Sequence, residues 1–375
     1  MAIASDPPRI QRPPPPAPSG VLLWLQRNFF DGWHGVVLTA LGVWFLAVTL
    51  PGLWRWLVAD SRVAPAGYDD CLKSGGACWA YLQAKWRLIL FGTYPFDLQW
   101  RPALAVGLFC AAVGLSAPRA MWATRSRRWA MAATWAATIL AIGVLMWGGV
   151  AGLRPVPHRL WAGLPLTLGL AVIGCGVAFL LALLLALGRR SDMPVISWLC
   201  TGYIEFIRGV PLISLLFLAT ILFPLVVPAD VDVDKLLRAQ LAFVMFFAAY
   251  MAEAIRGGLQ SIPPGQYAAA ESLGLGYWRM HLDVVLPQAL RVTLPSLVNI
   301  FIAAFKDTSL VTIISMLDLL GTANAAKADP AWWGLYIESY LFIAVIYFAA
   351  CAAMSAYSQR LEARLAAGSG GGKRG

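Results

Sequence analysis

Eight mostly apolar stretches of 14 or more residues carry no charged side chain, and they restrict the possible folds of this chain more than any other feature. A helix needs roughly 20 mostly apolar residues to cross the hydrocarbon core of a membrane. Two stretches, 239–252 and 292–305, are shorter, and we expect their polar flanks to lie in the membrane or to snorkel to its surface. The other six are 32–54, 102–118, 129–153, 160–188, 209–229 and 339–359. The pattern predicts an all-α, polytopic membrane protein with about eight transmembrane helices.

Composition excludes the main water-soluble classes of protein. Apolar residues make up 59% and charged residues 13% of the chain, whereas soluble domains are about 45–50% apolar and about 25% charged. The three histidines, His34, His158 and His281, are far apart and form no zinc-binding pattern with the cysteines. None of the six lysines lies in a phosphate-binding GxxxxGK[ST] loop. We therefore expect no catalytic residue, no metal site and no ATP site in this chain.

The distribution of arginine and lysine predicts the orientation. Basic residues accumulate in short cytoplasmic loops, and the clearest clusters here are 119–128 and 189–190. Placing the N-terminus in the cytoplasm puts both clusters inside, puts Asp230, Asp232 and Asp234 outside, and returns the C-terminus to the cytoplasm. The net charge of +10 then reflects membrane topology, and we expect no nucleic-acid partner.

We divide the chain into four parts. Residues 1–20 are proline-rich and predict a disordered cytoplasmic tail, and residues 364–375 predict a flexible C-terminal tail. Between the tails lie an N-terminal extension of three spans, 21–154, and a second block of five spans, 155–363. The extension includes a periplasmic segment, 59–101.

The periplasmic segment contains Cys71 and Cys78. An oxidising periplasm permits a disulfide between them, and two free thiols are the alternative. The other four cysteines fall in apolar spans, where a thiol is normally a small apolar side chain.

The most patterned polar segment, 253–291, is predicted to be cytoplasmic. Ser261, followed by two prolines, is typical of the start of a helix. Ala268–Ala270 favour a helix with a small-residue face, Gly274 permits a turn, and a second helical segment is expected from Tyr277. The pattern predicts a helix-turn-helix at the membrane surface, with a face that another protein can approach closely.

This segment resembles the shared cytoplasmic loop of the integral-membrane permease subunits of binding-protein-dependent ABC importers. The family pattern is EAA, three residues, Gly, nine residues, then I-x-L-P. The matching residues are Ala269, Ala270, Gly274, Val284 at the isoleucine position, Leu286 and Pro287. Ala268 departs from the pattern, which has Glu there, and nearby Glu271 is a candidate substitute. The resemblance implies that this loop, 257–287, which we call the coupling loop, docks into a groove of a separate ATPase subunit that binds ATP and Mg²⁺.

Further runs narrow the resemblance to the polar amino-acid permeases. They are 205–212 (EFIRGVPL), 256–263 (RGGLQSIP), 286–291 (LPQALR) and 306–310 (KDTSL). The three extra spans and the run at 76–79 look like the larger "M" permease of general L-amino acid importers. The resemblance implies a five-helix, MetI-like permease core in the lipid of a bacterial inner membrane. It also implies a related second permease in a heterodimer and a periplasmic amino-acid-binding protein as partners.

Charged residues near or inside spans are candidates for the substrate path, because burying charge in a membrane is unfavourable. Glu205 and Arg208 are three residues apart and so share one helix face, next to a bend that Gly209 and Pro211 allow. The alternative is that Arg208 lies at the membrane surface and Glu205 neutralises it.

Lys306, Asp307, Thr308 and Ser309 supply both donors and acceptors, as an amino-acid zwitterion requires. The alternative for them is an internal ion pair that holds a helix end.

Two other functional classes compete with the importer. A secondary transporter or channel for small polar solutes would need no docking loop and no ATP. A purely structural membrane subunit would tolerate bulky substitutions at Ala269 or Gly274, whereas in an importer these should uncouple ATP hydrolysis from uptake.

Overall fold

A computed structural model describes residues 20–226, 228 and 233–369, and these residues are predominantly α-helical with no β-strand. The helices are α1 Val21–Phe29, α2 Gly32–Trp54, α3 Tyr68–Ser74, α4 Trp79–Phe91, α5 Trp100–Ser116, α6 Arg125–Trp147, α7 Gly163–Arg189, α8 Pro194–Gly209, α9 Leu212–Phe217, α10 Phe223–Val226, α11 Lys235–Gln260, α12 Pro264–Ser272, α13 Tyr277–Arg279, α14 Leu286–Asp307, α15 Leu319–Lys327 and α16 Ile337–Ser369. The predicted all-α fold is confirmed.

The two predicted tails fall mostly outside the described residues. Residues 1–19 and 370–375 are not described, and neither are Asp230 and Asp232 of the acidic run. Helix α16 continues to Ser369, so the first part of the predicted C-terminal tail, 364–369, is helical.

Seven helical segments are long and apolar enough to cross a membrane, and a bent pair of helices makes an eighth. The seven are Gly32–Ala59, Phe96–Ser116, Arg125–Trp147, Gly163–Arg189, Lys235–Gln260, Tyr277–Ile314 and Ile337–Ala363. The bent pair is α8 with α9 and α10, Pro194–Gly209 and Leu212–Val226. About eight spans were predicted, and each charge-free stretch lies in or overlaps one of these segments.

The second span is longer than its charge-free stretch because it includes a buried arginine. Arg101 is fully buried, and its Nε donates to the carbonyl of Leu145 at 2.6 Å while Nη1 donates to that of Arg154 at 2.8 Å. These carbonyls belong to the end of α6 and the loop that follows it. The guanidinium therefore ties α5 to α6 and is not a boundary of the span.

The chain forms two compact units, Met1–Cys78 and Trp79–Gly375. The second unit includes 79–154, which the sequence analysis assigned to the N-terminal extension. Helix α4 accounts for this, because its Ile89 is fully buried in one apolar cluster with Leu319 of α15 and Ile343 of α16. Residues 79–91 thus pack as part of the larger, C-terminal unit.

In the smaller unit, α2 has no buried side chain, as expected of a helix surrounded by lipid. Beyond it, α3 begins where the Asp70 carboxylate accepts a hydrogen bond from the Gly67 N–H at 3.0 Å. A disulfide joins Cys71 to Cys78. Gly76 lies so close to Asp60 that a Cβ there would be 2.3 Å from the Asp60 carbonyl carbon, so only glycine fits.

Replacing both Cys71 and Cys78 by Ser is expected to destabilise this small segment by less than about 3 kcal/mol, because the closed loop is short. Maleimide–polyethylene glycol labelling of the denatured chain checks the bond. The natural chain should gain two labels after reduction, and the double variant should gain none. The control is Cys110→Ser, since Cys110 is a free thiol and its loss should leave that gain at two. A natural chain labelled equally before and after reduction would contradict the bond.

The core of the larger unit is built on close packing of α7, α11 and α14. Small side chains let membrane helices approach each other closely. On α7, Ala178, Ala182 and Ala186 are fully buried. On α11, a Cβ added to Gly258 would lie 2.7 Å from the Ala289 carbonyl oxygen of α14. These contacts fix the helices that carry the polar residues described next.

Candidate functional site

The predicted helix-turn-helix is present between α11 and α14. Helix α12 ends at a turn in which Gly274 has φ of +72°, a conformation that glycine adopts without strain. The Gly274 N–H donates to the Glu271 carbonyl at 2.9 Å, and the Leu275 N–H donates to that of Ala270 at 3.2 Å. The chain turns helical again at Tyr277.

Ser261 has a different role from the predicted one. It ends α11, with its N–H bonded to the carbonyls of Gly257 and Gly258, and its hydroxyl donates to Gly258 at 2.7 Å. The start of α12 is Pro264, preceded by Pro263. The first turn of a helix tolerates proline, because an N–H there has no hydrogen-bond partner within the helix. The two prolines therefore account for the helix start.

The loop exposes a mixed set of small, acidic and apolar side chains. We call them the exposed loop residues: Ala268, Ala269, Glu271, Leu273 and Trp278. Leu273 is 79% exposed and Trp278 is 60% exposed, although both are large and apolar. Ala270 is buried and anchors α12 to the protein. Exposed apolar side chains beside small ones are typical of a surface that another protein covers.

Side-chain hydrogen bonds hold α12 against the membrane helices. The Tyr267 hydroxyl accepts a hydrogen bond from Arg190 Nη1 at 3.1 Å and donates to the Leu259 carbonyl at 3.4 Å. Gln288 of α14 donates to Gln266 at 3.1 Å. Helix α12 is therefore connected to the end of α7, the end of α11 and the start of α14.

Helices α7, α8 and α11 carry a charge cluster at their ends near this loop. It consists of Arg189, Glu205, Arg208, Glu253 and Arg256. Glu253 lies at its centre, 3.1 Å from Arg189, 3.8 Å from Arg208 and 2.5 Å from Arg256. Glu205 pairs with Arg189 at 2.8 Å. The cluster joins α7, α8 and α11, and it leaves one positive charge in excess.

The structure thus gives Glu205 and Arg208 partners that their spacing does not reveal. They share a helix face, but each pairs with a residue of another helix, so the alternative in which Glu205 neutralises Arg208 is not what is seen. Arg189, Glu253 and Arg256 were not among the residues predicted for the substrate path. The sequence carried a signal for them, because all three lie at the predicted cytoplasmic ends of their spans, as Arg208 does.

A sharp bend follows Arg208, as predicted. Helix α8 and the helical segment Leu212–Val226 differ in direction by 104° across Val210 and Pro211. Val210 is extended, and Pro211 has no N–H to continue the helical bonding. The Tyr250 hydroxyl donates to the Arg208 carbonyl at 3.4 Å, next to the break. The charge cluster is therefore attached directly to a bent segment.

Lys306, Asp307, Thr308 and Ser309 lie at the other end of α14. Lys306 is 19 residues from Pro287, so about 28 Å of helix separates it from the coupling loop. Lys306 is exposed, Asp307 is half-buried, and neither forms an ion pair with another described residue. Thr308 is buried and donates to the Phe305 carbonyl at 2.8 Å. The two candidate groups of the substrate path are not brought together.

Within the described part of the chain, no three or more His, Cys, Asp and Glu side chains gather as a metal site would require.

Comparison with known proteins gives close relatives. The family model described as "Binding-protein-dependent transport system inner membrane component" matches residues 178–367. The chain is 42% identical over 365 residues to the inner membrane amino-acid ABC transporter permease protein YhdY of Escherichia coli K12, covering 96% of this chain and 98% of that protein. It is 34% identical over 429 residues to the glutamate/glutamine/aspartate/asparagine transport system permease protein BztC of Rhodobacter capsulatus, covering 94% and 96%.

Among solved structures, the crystal structure of an amino acid ABC transporter with histidines aligns at 32% identity and a TM-score of 0.48, over 54% of this chain and 92% of that chain. The family model spans just over half of this chain, and the YhdY alignment spans nearly all of it. The chain therefore belongs to the inner membrane components of binding-protein-dependent transport systems, as a permease subunit and not as an enzyme.

Proposed function

We propose that this chain is one membrane subunit of an ATP-driven importer that carries L-amino acids, polar or of broad range, from the periplasm to the cytoplasm. The observation that carries the proposal is the 42% identity with an amino-acid permease along 96% of the chain. The name of BztC, a relative at 34% identity, points to the same class of cargo.

The partners follow from this role. A separate ATPase subunit binds ATP and Mg²⁺ and docks on the exposed loop residues. A related second permease completes the pathway as a heterodimer, and a periplasmic binding protein delivers the amino acid at the opposite face. Both termini of this chain then lie in the cytoplasm, the side that carries the basic clusters at 119–128 and 189–190.

The contacts of α12 suggest how ATPase closure reaches the pathway. Movement of α12 is passed to α7 through the Arg190–Tyr267 bond and to α14 through the Gln266–Gln288 bond. The charge cluster then links α7 and α11 to the bent segment through Glu205 and Arg208. In this mechanism Glu205 and Arg208 set the bend at the cytoplasmic side, while Lys306 to Ser309 contact the cargo further out.

A transport assay tests the proposal. The complex, co-purified with its partner subunits, is reconstituted in liposomes with the binding protein and radiolabelled L-glutamine outside. ATP in the lumen should drive accumulation, and a non-hydrolysable ATP analogue should not. The ion gradients are held constant in both arms. Accumulation that persists without ATP hydrolysis would overturn the proposal in favour of a secondary transporter or a channel.

A further inference from the structure

A pocket that contains charged side chains opens at the end of the larger unit opposite the coupling loop. Its volume is about 320 Å³, within the range of roughly 300–1,000 Å³ that is usual for small-molecule sites. Three segments form most of its wall: the loop before α7 at His158–Ala162, the start of α11 at Asp234–Leu236, and the loop after α14 at Ser315–Leu317. Helix α7 is 27 residues long, so about 40 Å of helix separates the pocket from the charge cluster.

The acceptor in this pocket is Asp234, held in a fixed orientation. Its Oδ2 accepts a hydrogen bond from His158 Nε2 at 2.7 Å, and its Oδ1 accepts one from the Leu236 N–H at 2.9 Å. Partial burial acts to raise the pKa of Asp234, but the hydrogen bonds from His158 and Leu236 outweigh it and lower that pKa. The carboxylate is therefore ionised at neutral pH.

The pocket also contains cations that the described residues do not neutralise. Lys235 and Arg159 both line it, and neither forms an ion pair with another described residue. Lys235 is half-buried, so its ammonium group has lost part of its hydration. It is also the first residue of α11, a 26-residue helix whose N-terminus favours an anion. A carboxylate bound here would pair with both cations, beside a helix N-terminus that Asp234 caps.

We propose that this pocket binds a free α-amino acid, with the α-carboxylate on Lys235 and Arg159 and the α-ammonium on Asp234. The inference rests on the proposed function, and it assigns that function a receiving site at the periplasmic end. The 3₁₀ turns Thr308–Ile314 connect Ser309, which we propose to contact the cargo, to Ser315 in the pocket wall.

The test measures binding to the co-purified complex in lipid nanodiscs, without nucleotide and without binding protein. The probes are L-glutamine, L-glutaminamide, which lacks the carboxylate, and glutaramate, which lacks the ammonium. We expect Lys235→Met to weaken L-glutamine binding roughly tenfold to hundredfold, as for loss of a hydrogen bond to a charged group, and to leave the weak binding of L-glutaminamide unchanged. The matched control is Lys327→Met, since Lys327 bonds to Tyr340 and does not line the pocket.

Asp234→Asn tests the other half of the site. Asparagine caps a helix as well as aspartate does, so α11 should keep its start while the negative charge is lost. L-glutamine binding should weaken at least about tenfold, and glutaramate binding should not change.

Unchanged L-glutamine affinity in both variants would overturn the inference. A second arm measures docking of the ligand-free binding protein on the same nanodiscs. A Lys235→Met effect confined to that arm would also overturn the inference, because it would make the pocket a protein contact. The proposed function fails by a different result, the absence of ATP-driven uptake by the unaltered complex.

Discussion

Replacing Ala269 by Trp should abolish ATP-driven uptake while the chain still folds and inserts in the membrane. Ala269 is exposed on α12, so the larger side chain displaces nothing within the described protein. Against a docked ATPase, overpacking costs roughly 1–3 kcal/mol, which is about fivefold to 150-fold in affinity. Uptake in proteoliposomes and co-purification of the ATPase subunit measure the two effects.

The matched control is Ala331→Trp. Ala331 is also exposed, but it lies in the turn Pro330–Trp332 and not in the coupling loop. This variant should retain uptake and ATPase binding. If Ala269→Trp transported as well as the control, the loop would not be the docking site, and the alternative of a purely structural subunit would gain support.

The second large effect is expected from Glu253→Gln. The change removes the carboxylate that contacts three arginines and leaves their guanidinium groups with Glu205 as the one remaining carboxylate of the cluster. Breaking a fully buried ion pair costs roughly 3–5 kcal/mol. Because the Glu253 side chain is 24% exposed, we expect a smaller loss of about 1–3 kcal/mol and a loss of uptake. Thermal unfolding of the purified complex measures the first, and the proteoliposome assay measures the second.

Glu205→Gln is the control from within the same cluster. Glu205 contacts Arg189 alone among the cluster's arginines, and its side chain is 56% exposed, so its loss should cost less than about 1 kcal/mol. Equal effects of the two variants would show that Glu253 has no central role. A larger effect of Glu205→Gln would show that the critical contact is the one between Glu205 of the bent segment and Arg189.

Most of the fold could be predicted from where charge is absent. The two short stretches, 239–252 and 292–305, were recognised as spans although each is only 14 residues long. The helix of the first stretch is longer because a charge that flanks it has partners: Glu253 binds arginines of three helices. Arg101 extends the second span in the same way, through backbone carbonyls.

The pairing of charges could not be predicted from spacing. Three residues along a helix put Glu205 and Arg208 on one face, but an arginine reaches whichever carboxylate the neighbouring helix presents. That choice depends on how closely α7 and α11 approach, which is set by their buried alanines. The pocket at His158 and Asp234 was missed for the same reason, since 76 residues separate the two members of the pair.

The helical segment that follows the coupling loop reduces the movement that transport requires. From Tyr277 to Ile314 it runs for 38 residues, about 57 Å, without a sharp bend. A tilt of one degree at the end near α12 would displace Ser315 by about 1 Å. Functional groups in a binding site must be held to within about 0.5 Å to act. A rotation too small to separate packed helices at one face of the membrane is therefore large enough to alter the contacts of a solute at the other.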